Sequence, residues 1–264
     1  MSKWAVKRKR RILIVVGILL LALIAAIFIR VENSVQPTCL DGLQNGQETG
    51  IDCGGECSRV CQEEVNNLVV WWERPFRVAN GVYNTIAYVE NQNLYSGVQE
   101  MFYEFRLYDK DNILVSQPVK GSAFIEANKR SAIFESGITT GDNEAYTVFF
   151  HVNSIQNWER VSQDYSYNFF TISEPKLTNQ NTAPKLSARV RNESFINFED
   201  IPVVVILYNQ EDNAIAASRT FIDSLNQGTD QQVFYSWPEP FDEVISRIEI
   251  IPRIDPFIER DRQN

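Results

Sequence analysis

The chain has 264 residues, with 25 basic and 34 acidic side chains, one histidine and four cysteines. Six of the basic residues precede an apolar run that begins at Ile12, so the rest of the chain carries 19 basic against 34 acidic residues, a balance of −15. Such a surface repels the phosphates of nucleic acids and anionic lipid headgroups, which excludes DNA or RNA as an expected partner.

The first recognisable segment is apolar. Residues 12–29, ILIVVGILLLALIAAIFI, contain no charged side chain. As a helix they would measure about 27 Å, just enough to cross the hydrocarbon core of a membrane. We therefore predict a transmembrane helix over 12–29. A cleaved signal peptide is the alternative, but the run is long for one, and Ile29-Arg30-Val31-Glu32 stands where small residues would be expected.

The basic residues set the orientation of this helix. Residues 1–11 contain no acidic residue and carry all six positive charges, on Lys3, Lys7, Arg8, Lys9, Arg10 and Arg11. The positive-inside rule keeps such a segment in the cytoplasm. We expect a single-pass protein of the cytoplasmic (plasma) membrane, held by a signal-anchor, with a cytoplasmic segment 1–11 and everything from Arg30 onward outside.

All four cysteines fall in the next segment, residues 30–65: Cys39, Cys53, Cys57 and Cys61. In an oxidising compartment, four cysteines in a stretch poor in apolar residues predict two disulfides. Zinc is the alternative, but the spacing lacks paired C-x2-C knuckles and the one histidine, His151, is remote. Of three connectivities, we favour Cys39 with Cys57 and Cys53 with Cys61, which ties the Asp-Gly and Asn-Gly loop to the Cys-Gly-Gly turn.

The same segment contains candidate calcium ligands. Asp41, Asn45, Glu48 and Asp52 offer side-chain oxygens three or four residues apart, among glycines that free the backbone to present carbonyls. The alternative is that Asp-Gly and Asn-Gly mark tight turns. No other cofactor is expected.

Residues 39–61 also resemble a cysteine module of exported and cell-surface proteins with the pattern C-x-D-G-x-x-N-G-x-E-x-x-x-D-C-G-G-x-C-x-x-x-C. The matching residues are Cys39, Asp41, Gly42, Asn45, Gly46, Glu48, Asp52, Cys53, Gly54, Gly55, Cys57 and Cys61. The resemblance implies an extracellular setting and transfers no activity.

Beyond Cys61, short β-branched and aromatic runs broken by Asn, Asp, Gly and Pro predict antiparallel strands. These runs form an internal repeat. Asn91 aligns with Asn192, Leu107-Tyr108 with Leu207-Tyr208, Phe124 with Phe221, and Phe134 with Phe234, at offsets of 97 to 101 residues. We predict a mainly β fold: two tandem immunoglobulin-like antiparallel β-sandwiches, over 66–173 and 174–264, after the N-terminal transmembrane helix and a small disulfide-rich knot.

The first copy contains the motif F-x-L-Y-D at residues 105–109 and resembles the FxLYD family of exported β-sandwich domains. The second copy departs from it, reading Val205-Ile206-Leu207-Tyr208-Asn209. The resemblance implies adhesion-like or accessory domains without a known catalytic site. Strand alternation places Phe105, Leu107 and Leu207 in the cores, Tyr108 and Tyr208 on the opposite face, and Asp109 at the start of a turn.

Two loops and one aromatic pair complete the prediction. Trp71 and Trp72 open the first sandwich, and alternation should bury one and expose the other. The polar stretch 173–184 marks the boundary between the sandwiches. The alternative is that part of it is the opening strand of the second sandwich, which would shorten the linker to about three residues; a short linker predicts a semi-rigid rod. The carboxylates of Asp242 and Glu243, which follow the proline-containing loop from Trp237 to Phe241, read as solvated.

No catalytic constellation is evident, because His151 has no partner nucleophile motif and no phosphate-binding or metalloprotease pattern occurs. We therefore expect a non-enzymatic interaction or structural protein, an accessory subunit of an envelope or membrane complex with an unidentified protein partner. Carbohydrate or polymer binding is the alternative, and aromatic residues clustered in one groove with polar partners would favour it.

Overall fold

A computed structural model describes residues 13–25, 38–161 and 169–257, in two compact units, 1–57 and 58–264. In the first unit, residues 13–25 are helical and residues 38–57 form the turns of the cysteine segment. The segment 1–11, predicted to be cytoplasmic, and the ends of the predicted span, residue 12 and residues 26–29, lie outside the described residues. No helix within the described ranges has both the length and the hydropathy needed to cross a membrane.

The second unit begins with an eight-stranded sandwich. One sheet has the order β2-β3-β6. In the other, β4 is flanked by β5 on one edge and by β7 and β8 along the other, with β1 added beyond β8. A 3-10 turn, Gln62–Glu64, follows β1. The strands are β1 (Arg59–Val60), β2 (Val69–Ala79), β3 (Val82–Asn91), β4 (Ser96–Tyr108), β5 (Val119–Ile125), β6 (Lys129–Thr139), β7 (Thr147–Ile155) and β8 (Trp158–Arg160).

A six-stranded sandwich follows with the same strand order. Its sheets are β9-β10-β13 and β12-β11-β14, so each strand occupies the position of its counterpart in the first copy. The strands are β9 (Phe170–Thr178), β10 (Lys185–Asn192), β11 (Phe198–Tyr208), β12 (Ala214–Leu225), β13 (Asp230–Ser236) and β14 (Arg247–Pro252). All pairings are antiparallel. The predicted fold class, tandem β-sandwiches after an N-terminal helix and a disulfide-rich knot, is therefore confirmed.

Two of the predicted segment limits fall inside structural elements. Strand β9 spans the limit at residue 174 and pairs with β10 on one side, so much of the expected linker is a strand of the second sandwich. At the other limit, Arg59 and Val60 pair with β8 in the first sandwich, although residues 58–65 were predicted to lie in the cysteine-rich module.

Each sandwich has its own apolar core. On β4, Tyr103, Phe105 and Leu107 alternate into the first core and are at most 4% exposed. On β11, Val203, Val205 and Leu207 do the same in the second core. Period-two alternation explains both sets, since every second side chain of a strand lies on the same face of its sheet.

A third apolar cluster forms the joint between the two sandwiches. Val204, Ile206 and Tyr208, the alternate residues of β11, pack against Ile86 and Tyr88 of β3, and all five are buried. The sheets β2-β3-β6 and β12-β11-β14 are thus covered on both faces. The prediction of a semi-rigid rod is wrong, because the sandwiches pack sheet against sheet and bury apolar surface that an end-to-end arrangement would expose.

Candidate functional site

The cysteine segment is cross-linked. Cys39 is bonded to Cys57, and Cys53 and Cys61 are disulfide-bonded as well, which leaves no free cysteine among the four. The bonding agrees with the crossed pairing. Gly55, at φ +57°, explains the Cys-Gly-Gly turn, because a Cβ there would lie 1.8 Å from the carbonyl oxygen of Gln47.

The predicted calcium ligands lie together in this segment. The carboxylates of Asp41, Glu48 and Asp52 accept hydrogen bonds from the segment itself, whereas the side-chain oxygen of Asn45 is buried without a hydrogen-bond partner among the described residues. Asp41 accepts hydrogen bonds from the side-chain Nδ2 of Asn45 at 2.9 Å and from the amide of Leu43 at 3.0 Å, and these bonds lower the pKa of the Asp41 carboxyl. Both carboxylate oxygens of Asp52 accept the amide of Gly42 at 3.0 Å. These contacts are those of turn-forming residues, and calcium binding stays a prediction.

Glu48, the remaining candidate ligand, accepts the amide of Asn45 at 3.2 Å. A carboxylate oxygen of Glu48 and the sulfurs of Cys39 and Cys57 all lie within 4.8 Å of one another. Among the described residues, such a group of potential ligands would suggest a metal centre. Both sulfurs are engaged in the disulfide, however, and only a thiolate would bind a metal. These three residues therefore do not form a metal centre with thiolate ligands.

The turn after the F-x-L-Y-D motif has the same hydrogen bonds in both copies. The Oδ1 atom of Asp109 accepts the amides two and four residues further on, both at 2.9 Å. Asn209 does the same at 3.0 and 2.9 Å. Asn112 and Asp212, at equivalent positions, both adopt φ 61°. Because a single side-chain oxygen accepts both bonds, an amide replaces the carboxylate without loss, which explains the departure of the second copy from the motif.

A buried asparagine is the second feature that both copies of the repeat share. Asn91 donates through Nδ2 to two backbone carbonyls, at 2.7 and 2.9 Å. Asn192 donates to two carbonyls at 2.8 and 3.1 Å. Each side chain is at most 1% exposed and also accepts an amide from two residues further along. The aligned asparagines therefore hold equivalent loops, a fold role rather than a ligand role.

The motif tyrosines differ in their surroundings. Tyr108 is half-buried and makes an edge contact with Phe149, with ring centroids 5.5 Å apart. Tyr208 is buried at the joint between the sandwiches, beneath the guanidinium of Arg247, which lies 3.5 Å from the ring centroid. The tyrosine of the motif is therefore partly exposed to solvent in the first sandwich and lies in the joint between the sandwiches in the second.

Glu249 is the polar centre of the joint. Its carboxylate accepts the hydroxyl of Tyr88 from the first sandwich at 2.6 Å and that of Tyr208 from the second at 2.8 Å. Burial, and then the hydrogen bond to Glu249, raise the pKa of both phenols well above the usual value. Trp72 is half-buried and stacks on Tyr88 at 5.3 Å, while Trp71 is exposed, so the predicted alternation holds for Trp71 and only in part for Trp72.

Further bonds cross the joint. A buried ion pair links Arg253 to Glu126, with 3.5 Å between Nε and Oε2 and both side chains at most 8% exposed. Burial lowers the pKa of the Arg253 guanidinium, which also lies 4.4 Å from the Phe124 ring centroid. Three side chains donate to carbonyls of the opposite sandwich: Arg74 to Ala214 at 2.7 Å, Asn84 to Ala217 at 3.2 Å, and Arg219 to Phe134 at 3.0 Å.

A cavity of about 160 Å³ opens beside this joint. One wall is Arg77 and Val78 of β2, another is Ile215 and Ala216 of β12, and the rest is the loop after β13: Trp237, Glu239, Pro240, Phe241, Asp242 and Glu243. The Arg77 and Glu239 side chains form an ion pair at 3.7 Å.

Trp237 lines this cavity and was not expected there. It is 5% exposed, with Phe241 edge-on at 5.2 Å, whereas Asp242 and Glu243 are exposed, as predicted. Its indole Nε1 is buried and has no hydrogen-bond acceptor within the described chain. An unpaired buried donor costs about 1–3 kcal/mol. One feature of the sequence points to this cavity. Residues 237–243 combine two aromatic side chains and three carboxylates around a short turn flanked by prolines.

The fold and these sites define an antiparallel β-sandwich protein built from two copies of one unit. No protein-family model and no curated protein sequence matches the chain.

Two solved structures resemble the chain distantly. Red sea bream transglutaminase is 9% identical over 72% of this chain and 30% of that chain, with a TM-score of 0.23. The C-terminal globular domain of an oligosaccharyltransferase from Pyrococcus abyssi is 10% identical over 70% of this chain and 46% of that chain, with a TM-score of 0.18. The chain spans less than half the length of either. No functional residue is transferred from these similarities.

Proposed function

We propose that the protein is a membrane-anchored extracytoplasmic interaction protein, an accessory subunit of an envelope or membrane complex, and not an enzyme. The apolar run 12–29 supports a single-pass anchor, and the basic segment 1–11 supports an N-terminus inside the cytoplasm. The two disulfides support an oxidising compartment for the rest of the chain. The resemblances to the cysteine module and to the FxLYD domains point to the same setting.

The observation that carries the proposal is the joint between the sandwiches. Apolar packing of β3 on β11 is reinforced by the Tyr88–Glu249–Tyr208 hydrogen bonds and by the Arg253–Glu126 ion pair. Together they set one orientation for the two sandwiches. A rigid pair of sandwiches on an anchor suits the presentation of a defined surface to a protein partner, because little conformational entropy is lost on binding.

The anchor is tested by adding a protease to intact spheroplasts that carry the full chain with a tag at either end. We expect the tag at Asn264 to be removed and the tag at Met1 to survive. Digestion of the Met1 tag with survival of the other would reverse the topology and refute the proposed location.

The partner is tested by crosslinking in intact membranes. We expect a discrete protein to be captured by the wild type and less of it by Glu249→Ala, which retains the anchor but loosens the joint. Glu144→Ala, which removes an exposed carboxylate elsewhere, is the matched control. If no discrete protein is captured from the wild type, or if both variants capture it equally, a rigid surface for a partner is not the function.

Carbohydrate binding is the second candidate function. The observation that favours it is the cavity beside Trp237, where aromatic side chains, carboxylates and a guanidinium converge.

A further inference from the structure

We propose that the open edge of β7 binds an extended segment of the protein partner as an added strand of the first sandwich. The segment would carry apolar side chains at alternate positions. This inference rests on the proposed function, because it names where and how the partner of that proposal docks. Strand addition of this kind gives affinity through main-chain hydrogen bonds and specificity through the side chains that alternate along the added strand.

The edge of β7 that faces away from β4 is unpaired. Residues 147–152 pair with β4 in one uninterrupted register, from Thr147 opposite Tyr108 to Val152 opposite Tyr103. Within the described residues, no backbone hydrogen bond reaches the other edge of this stretch. Alternate residues of an antiparallel strand direct their N–H and C=O groups away from the paired neighbour. The edge therefore offers donors and acceptors to another strand.

The same edge already carries an added strand further along. β7 and β8 follow one another along β4, and β1 pairs antiparallel with β8 through Arg59 and Val60. Val60 is 8% exposed and belongs to the first core. A strand on this edge thus directs a side chain into the core. Because β1 pairs with β8 only, the edge along residues 147–152 stays open.

Half-buried apolar side chains lie beside this open edge. Phe150 and Val152 face the first core but are only half-buried. Their partners on β4, Phe105 and Tyr103, are at most 4% exposed. On the outer face of β7, Phe149 is 53% exposed. An added strand with apolar side chains beside these residues would remove their remaining apolar surface from water.

The other edge strands of the two sandwiches suit an added strand less well. β2 and β9 contain Pro75 and Pro175, and β5 contains Gly121, residues that weaken strand pairing. β6 lies against β5, and β12 lies against β13, where the two sheets of a sandwich meet. β14 has six residues and ends at Pro252. Among the described edges, β7 thus combines an open edge with uncovered apolar side chains.

Site-specific photo-crosslinking in intact membranes tests this edge. The probe is p-benzoylphenylalanine, incorporated into the full chain at Phe149 or at His151, two exposed positions on the outer face of β7. The matched control is the same probe at Phe234, an exposed phenylalanine of β13. We expect the two β7 positions to capture one partner and Phe234 to capture none.

The positions of the crosslinks on the partner carry the test. Mass spectrometry should place both in one short segment with apolar residues at alternate positions. If the segment runs antiparallel to β7, as β1 does to β8, the two crosslinks should lie about two residues apart and in reverse order, because paired strands have the same rise per residue.

Two substitutions add a matched comparison. Phe149→Lys should lower the yield of the crosslink from His151 about fivefold, because an apolar contact between neighbouring strands is lost. Phe234→Lys, the same change at an exposed position of β13, should leave that yield unchanged. Because both positions are exposed, both variants should fold.

The outcomes separate the edge of β7 from the proposed function. If chemical crosslinking captures a partner but the probes on β7 do not, or if Phe149 and Phe234 capture it equally, strand addition is overturned and the accessory role is retained. Crosslinks scattered over distant parts of the partner would also overturn strand addition, since no single segment would then lie along β7. No capture by either method would overturn both.

Discussion

Tyr88 of the first sandwich donates a hydrogen bond to Glu249 of the second, with 2.6 Å between Oη and Oε1. Tyr208 shares the same carboxylate at 2.8 Å. One side chain thus pairs a buried phenol from each copy of the repeat, although the tyrosines are 120 residues apart in the sequence.

Replacing Glu249 by alanine should lower the free energy of unfolding by about 2–6 kcal/mol, because two buried hydroxyls lose their acceptor and each costs about 1–3 kcal/mol unpaired. The measurement is denaturant unfolding of the full chain. Glu144→Ala, at an exposed loop position, should change the value by less than about 0.5 kcal/mol. Equal effects of the two variants would mean that Glu249 does not hold the joint.

The joint should weaken at alkaline pH. Burial and the Glu249 contact raise the pKa of Tyr88 and Tyr208 above the unfolded value of about 10. The folded chain therefore retains protons that the unfolded chain releases above about pH 10, so this contribution to stability is complete below that pH and is lost as the pH rises through the folded values. Unfolding measured from about pH 8 to 11 should show a shallower alkaline decline in Tyr88→Phe than in the wild type. Identical declines would contradict the assignment.

Neighbouring residues of β11 provide a test of the two cores that meet there. Leu207 faces the second core and Ile206 faces the joint, and both are fully buried. Leu207→Ala and Ile206→Ala should each cost about 2–5 kcal/mol in unfolding free energy, and Ile206→Val about 0.5–1.5 kcal/mol. If the sandwiches were separate in solution, Ile206 would lie on a surface and its truncation would cost much less than that of Leu207.

The turn of the F-x-L-Y-D motif should tolerate an amide. Asp109→Asn should alter the unfolding free energy by less than about 0.5 kcal/mol, since one oxygen accepts both amides, whereas Asp109→Ala should cost about 1 kcal/mol or more. Thermal and denaturant unfolding of both variants provide the comparison. A loss in Asp109→Asn equal to that in Asp109→Ala would show that the negative charge matters.

The cysteine pairing can be read by mass spectrometry. The non-reduced chain should contain no free thiol and gain about 4 Da on reduction, because each of two disulfides takes up two hydrogens. Cleavage after Glu48, Glu56 and Arg59 separates all four cysteines, so the fragment with Cys39 should remain joined to that with Cys57, and Cys53 to Cys61. Four reactive thiols, or a Cys39–Cys53 fragment, would refute the crossed pairing.

Much of the fold followed from local patterns. Alternation along β4 and β11 identified Phe105, Leu107 and Leu207 as core residues, because the side-chain period of a strand is two whatever the rest of the chain does. The repeat of Asn91 and Asn192 predicted two equivalent sandwiches, and cysteines clustered without apolar neighbours predicted disulfides. Each of these inferences depends on residues close together in the sequence.

The joint and the cavity depend on residues far apart. The run Val203-Val204-Val205-Ile206-Leu207-Tyr208 is apolar on both faces, which is the pattern of a strand buried on both sides, but it does not say what covers the second face. Only the tertiary structure brings Ile86 and Tyr88 onto it and buries Trp237 near Arg77, since contacts across more than 100 residues of sequence are set by sheet packing and not by any local period. The sequence by itself thus determined which residues form strands and which side chains face each core. The tertiary structure decided how the two sandwiches meet and where they leave a cavity, because both depend on which apolar faces cover each other.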